Sequence, residues 1–91
     1  MNYPVMIERD GDAWMAYFPD LPEALTGGDS REEALAEARD ALVTAFEFYF
    51  ESNRPIPLPS AAAAGQELVM VPPNLWGKAL RLNAMIKNAQ P

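Results

Sequence analysis

Any chemistry in this chain must come from carboxylates or hydroxyls, because its 91 residues include neither histidine nor cysteine. The missing histidine removes the commonest general base and the commonest metal ligand. The missing cysteine removes thiolate nucleophiles, disulfides and sulfur-held zinc. Three acids, Glu8, Asp10 and Asp12, crowd an Asp-Gly-Asp turn that lacks the twelve-residue ligand pattern of a calcium hand. Asp20 and Glu23 flank a Leu-Pro turn, where solvated carboxylates are ordinary. Ser30, Ser52 and Ser60 have no base to activate them. Gly27-Gly28 lacks both the spacing and the following Lys-Ser or Lys-Thr of a phosphate-binding loop. The expectation is a protein that is not an enzyme, with no cofactor and no metal site.

What remains for these acids is recognition, and their distribution is uneven. Residues 1–71 carry all thirteen acids against Arg9, Arg31, Arg39 and Arg54, a balance of −9. Residues 72–91 carry Lys78, Arg81 and Lys87 and no acid, a balance of +3. An acidic body disfavours nucleic acid and suits a cationic partner, although acidity also serves plain solubility. Three bases near a helix end have an ordinary explanation in the helix dipole. No apolar run approaches the ~20 residues a membrane span needs, and the N-terminus has no basic-then-apolar leader pattern. A cytoplasmic protein without membrane contact is expected.

The elements that position these residues follow from local pattern. Residues 3–9 alternate as a strand, with Tyr3, Val5 and Ile7 on one side. The Asp10-Gly11-Asp12 turn returns the chain into a second strand over 13–18, where Trp14, Ala16 and Phe18 face one way and Ala13, Met15 and Tyr17 the other. Both faces of that strand are apolar, so one covers a core while the other is partly exposed or meets something else. Pro19-Asp20-Leu21-Pro22 is expected to interrupt pairing before a short third strand over 24–27. Ser30 with Glu33 forms a capping box that starts a helix over about 31–51, ending before Asn53 and Pro55.

At 100° per residue, Glu33, Glu37, Asp40, Thr44, Glu47 and Glu51 fall on one narrow stripe of that helix. The remaining arc is apolar over roughly 220°, wider than the ~100° one sheet covers. The aromatic half, with Phe46, Phe48 and Phe50, therefore needs a second cover, either the C-terminal segment or another subunit. The prolines of residues 54–59 hold that stretch extended. Residues 68–71 read as a fourth strand, and residues 75–88 as a second helix with Pro73 suited to its first turn. The expected fold class is α+β: a small antiparallel sheet of three to four strands with one long helix on one face, in the order β-β-β-α-β, plus a C-terminal helix. The expected division is residues 1–71 as one domain and 72–91 as a C-terminal helix.

These residues also carry a family resemblance. Tyr3-Pro4-Val5, Gly11-Asp12-Ala13-Trp14, Ala16-Tyr17-Phe18-Pro19-Asp20-Leu21-Pro22, Leu25-Thr26-Gly27-Gly28-Asp29-Ser30 and Glu33-Ala34 resemble the HicB antitoxin pattern. The stretch from Ala41-Leu42 to Phe50-Glu51 and Pro55-Ile56-Pro57-Leu58-Pro59-Ser60 extends it, so that the match covers residues 3–60. No single motif suffices; their order makes the resemblance specific. It implies a partial ribonuclease-H-like fold without nuclease activity, and a role as the antitoxin of a type II toxin–antitoxin system. The implied partner is HicA, a small basic toxin that cleaves mRNA, and the rim facing it is assigned to Asp10, Asp12, Trp14, Asp20 and Glu23. Homo-oligomerisation is expected, with Phe46, Phe48 and Phe50 as the self-association or C-terminal packing surface.

Many members of the family add a C-terminal DNA-binding domain, through which they repress transcription of their own operon. After Pro73 this sequence offers one helix, whereas a helix-turn-helix needs two. Either the chain is truncated at Pro91, which is the preferred expectation, or this member lacks DNA binding; operator DNA is a partner only if the full-length protein carries that domain. The competing reading is a transcriptional autoregulator whose N-terminal part only dimerises. A third, a metal-dependent nuclease retained from ribonuclease-H-like ancestry, requires carboxylates that converge.

Overall fold

The computed structural model describes residues 1–89, so the expectation about the chain end at Pro91 lies outside the described residues. Its elements are β1 (Asn2–Asp10), β2 (Ala13–Phe18), β3 (Leu21–Gly28), α1 (Arg31–Ser52), β4 (Glu67–Met70) and α2 (Pro73–Ala89). The strands form one sheet in the order β3-β2-β1-β4, with every neighbouring pair antiparallel. The α+β class, the four-stranded sheet, the long helix and the C-terminal helix are as the sequence predicts.

Asp10 pairs with Ala13 across a two-residue turn, and Gly11 supplies its positive φ of 64°. β3 begins earlier than the pattern predicts. Phe18 pairs directly with Leu21 across Pro19-Asp20, and the register slips between Tyr17 and Phe18. The slip places Leu21 fully inside the core, which rewards pairing that the prolines alone would discourage. Because β3 is an edge strand, Pro22 is tolerated within it.

α1 starts with Ser30 as its N-cap: Ser30 is extended, and its hydroxyl accepts from the Glu33 N–H at 3.0 Å. It ends at Asn53, whose left-handed φ of 51° turns the chain, while the Arg54 N–H donates to the Tyr49 carbonyl at 3.1 Å. Ala34, Ala38 and Ala45 bring the helix close to the sheet, and Leu42 and Phe46 fill the space above it. From below, Tyr3, Val5, Ile7, Ala16 and Phe18 meet them.

The second cover for the aromatic half of α1 is α2. Ala79 and Leu82 are buried in the same cluster, and Trp76 packs edge-on against Tyr3 at 6.3 Å. The Tyr3 ring also meets Phe46 edge-on at 5.7 Å. The proline-rich stretch between α1 and β4 is fastened at three points. Asn83 on α2 accepts from the Ile56 N–H at 2.7 Å and donates to its carbonyl at 3.0 Å. The Tyr3 hydroxyl donates to the Pro57 carbonyl. Asp20 accepts from both the Ser60 N–H at 2.8 Å and the Ser60 hydroxyl at 2.7 Å.

Candidate partner-binding site

The acidic stripe on α1 is fully presented to solvent: Glu33, Glu37, Asp40, Thr44, Glu47 and Glu51 are all exposed. The side chains opposite it, Ala38, Leu42, Ala45 and Phe46, are buried against the sheet. Burying the apolar arc therefore forces the acids outward as a row. The row borders a groove of about 440 Å³ between α1 and the edge strand β3. Its walls mix charge and apolar surface, with Glu37, Asp40 and Phe48 from α1 facing Glu23 and Leu25 from β3.

One end of the groove is ordered by Glu23. Its carboxylate accepts from the Tyr49 hydroxyl at 2.6 Å and pairs with Arg54 at 2.9 Å. The hydrogen bond from Tyr49, reinforced by Arg54, holds the Glu23 carboxyl below its ordinary pKa, against a smaller opposing effect of burial. Burial, with the carboxylate alongside, pushes the Tyr49 phenol up to about 12. Arg54 also lies 4.8 Å from the ring centroids of both Phe48 and Tyr49.

The five residues assigned to a partner-facing rim fall into two groups. Asp10 and Asp12 stand exposed at the β1–β2 turn, and Trp14 next to them is half-buried against the core with Arg9 over its ring at 5.9 Å. Asp20 and Glu23 lie at the other end of β2, about 20 Å away for a strand of six residues. There Asp20 is held by Ser60, and Glu23 by Tyr49 and Arg54.

The three aromatic positions also separate. Phe46 is buried, Phe50 is half-buried edge-on to it at 6.1 Å, and Phe48 is 46% exposed on the groove. Lys78 of α2 sits 4.5 Å from the Phe50 ring centroid. A second hollow of about 340 Å³ lies there, lined by Phe50, Asn53, Lys78, Arg81, Leu82 and Met85.

Sequence reasoning placed Glu37 and Asp40 on the acidic stripe but did not place them beside β3. Their spacing on the helix was visible, whereas the approach of the edge strand is a tertiary fact. Among the described residues, no group of three acidic side chains comes together as a metal-holding cluster. No helix of the described residues is long and apolar enough to cross a membrane.

Residues 2–80 match a family described as "HicB_like antitoxin of bacterial toxin-antitoxin system". "Antitoxin HicB 2" of Photorhabdus laumondii is 58% identical over 87 residues, covering 96% of this chain and 61% of the relative. "Antitoxin HicB" of Escherichia coli K12 is 44% identical over 89 residues, covering 97% of this chain and 64% of the relative. The chain thus spans about three fifths of the length of these curated relatives. Among solved structures, the N-terminal domain of Burkholderia pseudomallei antitoxin HicB superposes with a TM-score of 0.60 at 22% identity. That match covers 79% of this chain and 99% of the domain, and it shows a shared fold.

Proposed function

Because the chain belongs to the HicB-like antitoxin family, whose role is that of an antitoxin and not of an enzyme, we propose that it binds and neutralises a small basic HicA-like mRNA-cleaving toxin. The action is occlusion: the antitoxin covers the cationic face with which the toxin holds RNA, and does so in the cytoplasm. The observation that carries this reading is the exposed acid row of α1 beside a groove with apolar walls. Such a surface offers a basic protein both charge complementarity and apolar area to bury. The two acidic ends of the sheet, Asp10 and Asp12 with Trp14, and Asp20 with Glu23, extend the same negative surface around it.

The test is reconstitution with the cognate small basic protein and an RNA-cleavage assay. This chain is expected to form a stable complex with it and to stop cleavage in proportion to the amount added. Asp10 and Asp12 reversed to Lys form one variant, and Asp20 and Glu23 reversed form another. Loss of inhibition in either variant, with the fold intact by circular dichroism, assigns that end to the toxin. Full inhibition by both removes the two ends from the interface, and cleavage unaffected by the parent chain overturns the antitoxin mechanism itself.

A further inference from the structure

We propose that the uncovered face of the sheet is the docking surface for a second copy of this chain, packed sheet against sheet. Both helices lie on the other face, with the core between. Strand register sets what the open face presents. Tyr17 and Met6, both half-buried, stand in one row across β2 and β1, and Leu68 and Met70 continue the surface on β4. Leu68 and Met70 are 53% and 67% exposed, which is costly for two large apolar side chains side by side on one strand of a small protein.

Charge selects the occupant. The molecule carries a net −6, yet the acids that register places on this face, Glu8 and Asp10, sit together at the hairpin end. From Met6 to Met70 the face is neutral. A cationic partner finds no complementary charge there, whereas elsewhere the acid row of α1 invites one. Two copies of an acidic protein repel, so they associate where carboxylates are absent and apolar area is present. An isologous pair with antiparallel strands also keeps the two sets of Glu8 and Asp10 at opposite rims.

Magnitude sets the strength. Four strands about 4.8 Å apart and up to 30 Å long give a face of roughly 500 Å². That is below the roughly 800 Å² per partner of a standard interface. The pairing is therefore reversible and concentration-dependent, and it leaves the acid row of α1 free for another protein.

The experiment is sedimentation velocity on this chain from about 1 μM to several hundred μM, a range that spans weak dimers. A monomer–dimer equilibrium is expected, unchanged or strengthened by added salt because the contact is apolar and the residual charge repulsive. Met70→Glu and Leu68→Glu are expected to weaken it at least about tenfold, equivalent to roughly 1.4 kcal/mol. Circular dichroism verifies their fold, and Met6→Gln gives a second, milder variant on the same face. Met85→Glu, on an exposed position of α2, is expected to leave the dimer intact. The proposal is overturned by a monomer throughout the range, by pairing that salt dissolves, or by a dimer that survives the sheet-face variants. Loss of the dimer on Met85→Glu alone overturns it as well.

Discussion

Glu23 illustrates how a carboxylate selected for its charge acquires a structural duty. It lies on an edge strand, yet it receives the Tyr49 hydroxyl from the last turn of α1 and the Arg54 guanidinium from just beyond its cap. Those partners are 26 and 31 residues away, so nothing in the local pattern announces them. The consequence is a pH dependence whose sign can be worked out. The folded-state pKa of Glu23 lies below its ordinary value, so its stabilisation is fully present above that ordinary value. It is lost as pH falls through the lowered one. For Tyr49 the folded pKa is raised to about 12, so its contribution holds at neutral pH and is lost only as pH rises from the ordinary range of about 10 through 12. Tyr49→Phe keeps the buried ring and removes only the hydroxyl. The expected outcome, read by urea unfolding at several pH values, is a shallower loss of stability on acidification than in the parent chain. An unchanged acid slope would show that the Tyr49–Glu23 bond does not distinguish the folded from the unfolded chain. The exposed Arg54 arm should contribute less, since solvent screens it.

At the scale of elements, legibility tracked how local each cause was. The start of α1 was readable because an N-cap is a local signal, and the Ser30 hydroxyl accepts from the Glu33 N–H as that signal predicts. The early start of β3 was not, because Leu21 is drawn into pairing by a cavity that exists only once α1 and the sheet have assembled. The exposed acid row was legible from the helical period, while the groove beside it required knowing which strand forms the edge. The place of α2 depends on another nonlocal contact, the Asn83 amide that satisfies both the N–H and the carbonyl of buried Ile56. Asparagine at this position reads from sequence as an unremarkable polar interruption of an apolar helix face. Asn83→Ala leaves two backbone groups unpaired in a buried setting, a loss of about 1–3 kcal/mol. Chemical denaturation should show it as a lower midpoint with an unchanged slope. Leu80→Ala, on the exposed side of α2, should cost much less, and equal losses would mean that the amide is not what fastens the segment.

Over the whole molecule, the acids concentrate along α1 while the open side of the sheet keeps an acid-free apolar stretch, and the division follows from how the sheet is covered. α1 spends its apolar arc on the core and turns its acids outward beside β3. The sheet, covered by helices on one side only, leaves on the other an apolar stretch from Met6 to Met70 without acids, with Glu8 and Asp10 confined to the hairpin end. The two surfaces should therefore answer differently to salt. Association through the acid row is steered by long-range attraction, which screening weakens over a Debye length of about 10 Å at 0.1 M. Reversing Glu37 and Asp40 to Lys changes two exposed side chains, so folding stability should move by no more than about 0.5 kcal/mol. The rate of association with a cationic toxin should fall by about tenfold or more at low salt and lose most of its salt dependence, with a smaller change in dissociation. Stopped-flow mixing at a series of salt concentrations reads both rates. Self-association of the same variant, through a face that holds neither residue, should stay as it was. A variant that lost both interactions together would mean that the acid row and the open sheet belong to one contact and not two.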